Sequence, residues 1–311
     1  MSKSPARSAA EIEQRRTEIE TQLGEPITLD LLTESWVMYQ RKRGHRHSTD
    51  DLLTAWYAIQ HGFPNCMPEA CPRGVGTSKK PCFLGRGGAS LPVMVSQESV
   101  ETLFSTDSER LLDLGTGIGT VGLLVLSQAP NAHLTAVEAQ EISFGLFQDN
   151  LWANGQAGLV KAIHADLRHA KFDDASFDLI SGSPPYFDVS AGIVPNDSQK
   201  AHARFELRGT VFDYCRVAAR ALAPNGAFVF CFPFAQKARA ERACAESGLE
   251  VVRARDVVPR EQLPPLFSLF LCRHPGSGRR VDEPPFVVRD ASGRHTAEMT
   301  QVRQLFGMKP Q

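Results

Sequence analysis

Residues 110–120 read Arg110-Leu111-Leu112-Asp113-Leu114-Gly115-Thr116-Gly117-Ile118-Gly119-Thr120, and this stretch decides the fold. A short apolar run, Leu111 to Leu114, ends in three glycines at alternate positions. It leads directly into an apolar segment, Thr120 to Ser127. A strand, a tight turn and a helix are the expected outcome. Glycine admits positive φ and lets a ligand approach the backbone with no Cβ between them. At the carboxyl end of the first strand of an α/β sheet, such a turn faces the crevice where these sheets bind ligands.

Outward from that turn the same pattern repeats. His133 to Glu138, Lys161 to His164, Phe177 to Ser181 and Phe228 to Phe232 read as strands. Gln140 to Asn154 and Val211 to Leu222 read as helices between them. Glu250 to Val258 and Leu266 to Cys272 supply late strands. Strands alternating with helices predict a parallel sheet covered on both faces. Upstream, Glu11 to Leu23 is a charged helix closed by Gly24 and Pro26. Ile27 to Gln40 mixes leucines with a capping-type Asp30, and Ser48 to Ala58 is an amphipathic helix opened by Ser48 and Asp51. The expected division is a helical extension over 1–26, an N-terminal region over 27–107 and a catalytic domain over 108–311. The second carries a proline-, glycine- and cysteine-rich insertion at about 62–91.

The glycine spacing separates two cofactor classes. A dinucleotide fingerprint needs a sixth-position glycine, and Thr120 stands there. Glycines at 115, 117 and 119 with Asp113 two positions ahead resemble the turn of class I methyltransferases instead. There the acidic residue sits near the methionine ammonium of S-adenosylmethionine. Glu138 ends the second strand, where a carboxylate can accept from both ribose hydroxyls. Asp166, after the third strand, is placed for the cofactor's adenine amine, although an aspartate before a helix is also an ordinary cap.

The fourth strand runs into Ser183-Pro184-Pro185-Tyr186-Phe187. Two prolines stiffen this loop, and the Pro184 carbonyl is left without a helical partner. An exocyclic amine of a nucleobase is a poor nucleophile, because its lone pair is delocalised into the ring. Two acceptors, a side chain and a proline carbonyl, can hold its two N–H groups, and an aromatic ring can hold the base in line with a methyl donor. Ser183, Pro184, Pro185 and Tyr186 are therefore the candidate catalytic residues.

Together these stretches resemble the bacterial tRNA adenine-N6 methyltransferases that act beside the anticodon of valine tRNA, over about residues 27–307. Five segments carry the resemblance. Gly44 to Leu53 is similar to the family's aromatic-Ser-x-Asp-x-x-Leu-Leu segment over the cofactor, which implicates Ser48 and Asp50. Leu112 to Gly119 and Ser183 to Phe187 match the glycine turn and the catalytic loop. Ala203-Arg204-Phe205-Glu206 resembles a downstream Ala-Arg-His-Glu. Pro284 to Val288, with Thr296 and Glu298, is like the C-terminal strand and closing helix. The resemblance implies a doubly wound, Rossmann-like, mostly parallel seven-stranded sheet with an N-terminal helical extension. It further implies S-adenosylmethionine as cofactor and RNA, above all tRNA, as substrate. This chain departs from the family in having Ser183 for Asn and Phe205 for His, and in the 62–91 insertion. Ser-Pro-Pro-Tyr also occurs in cytosine-N4 DNA methyltransferases. DNA adenine, cytosine N4, rRNA, a glutamine amide and a non-catalytic scaffold thus stay open as alternatives.

Composition bounds the rest. The 311 residues are 42% hydrophobic with a net charge of −1, so no global basic excess marks a nucleic-acid binder. Local basic groups occur at Arg41, Lys42, Arg43 and Arg46 and at Arg273, His274, Arg279 and Arg280. No apolar run reaches the roughly 20 residues of a membrane span, and a cytoplasmic protein is expected. Cys215, Cys231, Cys244 and Cys272 sit in apolar or helical contexts, as reduced buried thiols do. Cys66, Cys71 and Cys82 lack paired zinc-ribbon spacing, and no metal is expected.

Overall fold

The computed structural model describes residues 7–44, 46–62, 109–187 and 197–308. The insertion cysteines Cys66, Cys71 and Cys82, and His45, lie outside the described residues. In chain order come α1 (Ala9–Leu23), β1 (Ile27–Leu31), β2 (Val37–Arg41), α2 (Thr49–His61), β3 (Arg110–Leu114), α3 (Thr120–Gln128), β4 (His133–Glu138), α4 (Glu141–Ala153) and β5 (Lys161–His164). They are followed by β6 (Phe177–Gly182), α5 (Ser198–Arg204), α6 (Val211–Ala221), β7 (Leu222–Pro233), α7 (Lys237–Glu246), β8 (Glu250–Val258), β9 (Phe267–Arg273), β10 (Val281–Val287) and α8 (Ala297–Leu305).

Eight strands form one sheet in the order β10-β8-β9-β7-β6-β3-β4-β5. β9 runs antiparallel to both β7 and β8, and every other pairing is parallel. The fold is the doubly wound α/β sheet expected, with eight strands rather than seven. β10 adds itself in parallel to β8, with Val287 opposite Val258. The order reverses between β3 and β6, whose connections leave in opposite directions along the sheet. Ligands bind beyond the carboxyl ends of strands at such a switch point.

The central strands are buried on both faces, which explains their near-continuous apolar runs. Every residue of β9 is buried, and Phe228, Phe230 and Phe232 of β7 are fully enclosed. One core joins the sheet to α2, α3, α4 and α8, and the other joins it to α6 and α7. α2 is buried from Leu52 to Ile59, so its amphipathic reading understates it. The four cysteines of the described residues are free and buried, as expected.

Ile27 to Arg41 is a hairpin, and Asp30 is not a helix cap. It lies inside β1 opposite Met38, and its carboxylate accepts from Thr28 Oγ1 (2.7 Å), Gln40 Nε2 (2.9 Å) and an Arg46 guanidinium nitrogen (2.9 Å). Strand pairing outweighs the local capping preference. The far edge of β2 is held by a helix. Asn150 and Asn154, one turn apart on α4, present amides to residues two apart on β2. Asn154 exchanges two 2.8 Å bonds with the Val37 backbone. Asn150 Oδ1 accepts from Tyr39 N (2.7 Å), and its Nδ2 donates to the Ile118 carbonyl of the glycine turn (2.9 Å). Asn150→Ala leaves these buried groups unpaired, at about 1–3 kcal/mol each. The expected result is a lowered urea midpoint, with about 3 kcal/mol lost in equilibrium unfolding.

The basic groups noted in the sequence are mostly spent internally. Arg41 is buried and paired with Glu25 and Asp197, and Arg280 with Glu241 and Asp282. Arg273 is buried against the carbonyls of Asn225 and Gly226. Lys42 and Arg43 are exposed.

Candidate active site

β3 and β6 are hydrogen-bonded neighbours, with Leu114 opposite Gly182. The residues that follow them, Gly115 and Ser183, therefore emerge side by side at one edge of the sheet. Both line a single cleft, together with Gly117, Glu138, Pro185 and Tyr214. The juxtaposition of glycine turn and proline loop is a direct product of sheet order.

The three glycines serve different ends. Gly115 (φ 61°) lies under the Tyr214 ring, and a Cβ there would stand 2.0 Å from Tyr214 Oη. A Cβ at Gly119 (φ 97°) would meet Phe147 at 2.5 Å. Among the described residues, and apart from its own chain neighbours, Gly117 (φ 59°) has no atom within 4 Å of the corresponding point, and it lines the cleft. The turn is docked on the end of β4: Thr116 N donates to Val137 O (3.0 Å), and Gly117 N to Glu138 Oε2 (2.8 Å). Glu138 Oε1 accepts from Gln140 N (2.6 Å).

Asp113 also lines the cleft, but its own bonds point inward. It is buried and accepts from Thr116 Oγ1 (2.6 Å), Ser181 Oγ (2.7 Å) and Gly122 N (3.1 Å). One carboxylate thus pins the turn, α3 and β6 together. Asp166 is not brought to the cleft wall. Arg168 holds it through Nε (2.9 Å), a terminal nitrogen (2.6 Å) and the backbone N–H (2.9 Å). That guanidinium keeps the carboxyl below the usual aspartate range. Its carboxylate is thus engaged in a local turn cap. Its neighbours Ala165 and Leu167 line the cleft instead.

Ser48 caps α2 in a reciprocal box with Asp51 and is exposed. Asp50 reaches the proline loop and not the glycine turn: its Oδ2 accepts from Tyr186 Oη at 2.6 Å. From this segment, His47 and Asp51 are the residues on the cleft wall. The Ser183 hydroxyl lies 3.6 Å from Cys231 Sγ, and Tyr186 Oη lies 3.3 Å from the same sulfur. Burial pushes the Cys231 thiol up to about 12, so at neutral pH it stays a thiol and is no competing nucleophile. The Tyr186 ring meets Phe232 edge-on at 5.9 Å. Its backbone is fixed from both sides: Tyr186 N donates to Arg204 O (3.0 Å), and Tyr186 O accepts from Gln236 Nε2 (2.7 Å). The Ala203–Glu206 stretch is thus the partner of the proline loop, with Phe187 and Phe205 forming a bridge. Among the described residues no donor reaches the Pro184 carbonyl.

Sequence reading missed several wall residues, namely Asp51, Gln140, Ser143, Gln199, Arg208 and Tyr214. Gln140 and Ser143 stand at the start of α4, where the cap bond from Ser143 N to Gln140 Oε1 (2.6 Å) was a readable signal. Tyr214 gave none, since its role depends on α6 crossing under two glycines. Gly182 was missed likewise: a Cβ there would touch Tyr214 at 3.0 Å.

Three carboxylates, Asp51, Asp113 and Glu138, therefore share one wall, and burial raises all three above their ordinary values. Asp50, and then Asp113, add to the rise at Asp51. A raised carboxyl binds its proton more tightly folded than unfolded. The stability that these three carboxyls contribute without ligand is then greatest below their ordinary range near 3.8 and 4.5 and is lost as pH rises through the folded values. A cationic ligand reverses the preference, because it favours the ionised carboxylates. The expected result is that affinity for such a ligand, read by titration calorimetry, strengthens with rising pH and is accompanied by proton release. Affinity that weakens with rising pH would contradict this account.

The family described as Methyltransferase small domain matches residues 95–232, a span that includes both the glycine turn and the proline loop. This chain is a methyltransferase. The methyltransferase is 26% identical over 201 residues to a tRNA1(Val) (adenine(37)-N6)-methyltransferase of Histophilus somni (strain 129Pt), covering 64% of this chain and 82% of that one. It is 30% identical over 138 residues to a release factor glutamine methyltransferase of Chlorobaculum tepidum, covering 42% of this chain and 47% of that one. A solved structure from Agrobacterium tumefaciens, described as a predicted O-methyltransferase, superposes with a TM-score of 0.51 at 16% identity. It covers 67% of this chain and 94% of that one, and it establishes the fold alone.

S-adenosylmethionine is the methyltransferase's cofactor, and the cleft suits it. The bare backbone at Gly117 admits close approach, and the Glu138 carboxylate on the same wall would suit the hydroxyls of a ribose. Ile118, Val137, Ala165 and Leu167 give apolar walls for an adenine, and the buried carboxylates suit a sulfonium and an ammonium. Among the described residues no cluster of His, Cys, Asp or Glu could hold a metal ion. No helix there is long and apolar enough to cross a membrane.

Proposed function

We propose that this methyltransferase transfers a methyl group to the exocyclic N6 of an adenine in tRNA, with residues 108–311 as the catalytic part. The name of the Histophilus relative supports that substrate, as does the proline loop that meets the glycine turn in one cleft. When bound, the cofactor would supply a methyl group on a positively charged sulfur as the electrophile for the amine's lone pair, with the neutral thioether as leaving group. The chain's own residues prepare the amine. Ser183 Oγ and the Pro184 carbonyl accept its two N–H groups and turn its lone pair away from the ring. Pro185 stiffens the loop, and Tyr186, anchored through Asp50, offers its ring to the base. The amine's proton leaves to water after transfer, so no strong base is required. Gly115, Gly117, Gly119 and Glu138 hold the cofactor, and Asp113 acts by fixing the turn.

A glutamine amide is the second reading, favoured by the Chlorobaculum relative and by the planarity that the amide shares with adenine. Mass spectrometry of tRNA nucleosides and of release-factor peptides, from cells with and without the gene, separates the two. Loss of N6-methyladenosine from tRNA is expected. Loss of methylglutamine with unchanged nucleosides would assign the second reading.

A further inference from the structure

The proline loop carries two aromatic residues, and they have opposite surroundings. Tyr186 is turned into the protein, with its hydroxyl on Asp50 and its ring against Phe232. Phe187 is 44% exposed. Its backbone is nonetheless fixed in an extended conformation: Phe187 N donates to Arg204 O (2.9 Å), and Phe187 O accepts from Glu206 N (2.9 Å). Successive side chains of extended backbone point to opposite sides. The Tyr186 ring therefore turns inward, and the Phe187 ring faces outward. Phe205, buried beneath, supports the outward ring at 5.6 Å between centroids, and Leu207 beside it is 38% exposed.

Phe187 and Leu207 together form an exposed apolar patch beside the proline loop, of the kind that marks a binding surface. Resting on the function proposed above, we infer that Phe187 is a positioning residue for the RNA. It stacks on the nucleobase that flanks the target adenine. Extruding a base into the cleft strips its neighbour of a stacking partner. An aromatic face at the rim replaces that partner and holds the strand with the target base directed at Ser183. Stacking of a base on an aromatic ring is worth about 5- to 150-fold in affinity.

The test compares wild type, Phe187→Ala and Phe187→Trp as full-length proteins, with S-adenosylmethionine and an unmodified tRNA1(Val) transcript. Phe187→Ala is expected to raise KM for the transcript by about 10-fold or more while kcat, cofactor affinity and melting temperature hold. Phe187→Trp is expected to restore KM. Wild-type KM in Phe187→Ala would overturn the inference while leaving the proposed function intact. A fall in kcat with a lowered melting temperature, unrescued by tryptophan, would overturn it in favour of a structural role. A wild-type protein that binds cofactor but methylates no RNA would remove the proposed function, and this inference with it.

Discussion

Gly115→Ala is expected to weaken S-adenosylmethionine binding by about 100-fold. Two costs combine. An L-residue at φ 61° pays about 1–2 kcal/mol for the left-handed conformation. The new methyl also stands 2.0 Å from Tyr214 Oη, on a buried ring that cannot swing away, and forced overpacking of this kind costs about 1–3 kcal/mol. The turn itself is the element free to move, and moving it pulls Gly117 N off Glu138. The double variant Gly115→Ala/Tyr214→Phe separates the two costs. Removing Oη leaves Tyr214 Cζ at 3.0 Å as the nearest atom, so partial recovery in calorimetric titration is expected. Wild-type affinity in Gly115→Ala alone would show that the glycine turn does not set the cofactor site.

The second large effect falls on the proline loop. Tyr186→Ala is expected to lower kcat by about 10²–10³ while cofactor affinity stays near wild type, because the bonds of Tyr186 go to Asp50, Arg204 and Gln236 and not to the glycine turn. Losing a ring packed against both cores also destabilises the protein, so Tyr186→Phe is the sharper probe. Phenylalanine keeps the ring and the contact with Phe232 but removes the 2.6 Å bond to Asp50. A smaller loss of kcat with an unchanged melting temperature would assign the hydroxyl to positioning. If Tyr186→Ala methylates at the wild-type rate, the loop is not where the acceptor sits.

These two variants bracket what sequence could supply. The glycine turn, the strand that ends in Glu138 and the Ser-Pro-Pro-Tyr loop are local patterns, and each was legible because its chemistry lies within a few consecutive residues. That the turn and the loop share a cleft follows from strand order, which regular alternation predicts. The partners of the predicted residues were not legible. Asp50 and Tyr186 are 136 positions apart, and nothing at either position indicates the bond between them. Asp113 was read as facing ligand, yet Ser181, 68 positions on, and Thr116 claim its carboxylate. Asp166 shows the opposite case. Arg168, its partner, stands only two residues later and was visible in the sequence. The hairpin at Ile27 to Arg41 was misread because its decisive partners, Asn150 and Asn154, lie on a helix more than a hundred residues away.

The central claim is that one cleft brings a methyl donor at Gly117 to an adenine N6 at Ser183. It is tested most directly by incubating the purified protein with tRNA and S-adenosylmethionine carrying a deuterated methyl, then digesting the RNA and weighing its nucleosides. The account predicts label in N6-methyladenosine and its loss in Tyr186→Ala. Label on cytosine N4, or none in RNA while the protein still binds cofactor, would contradict it.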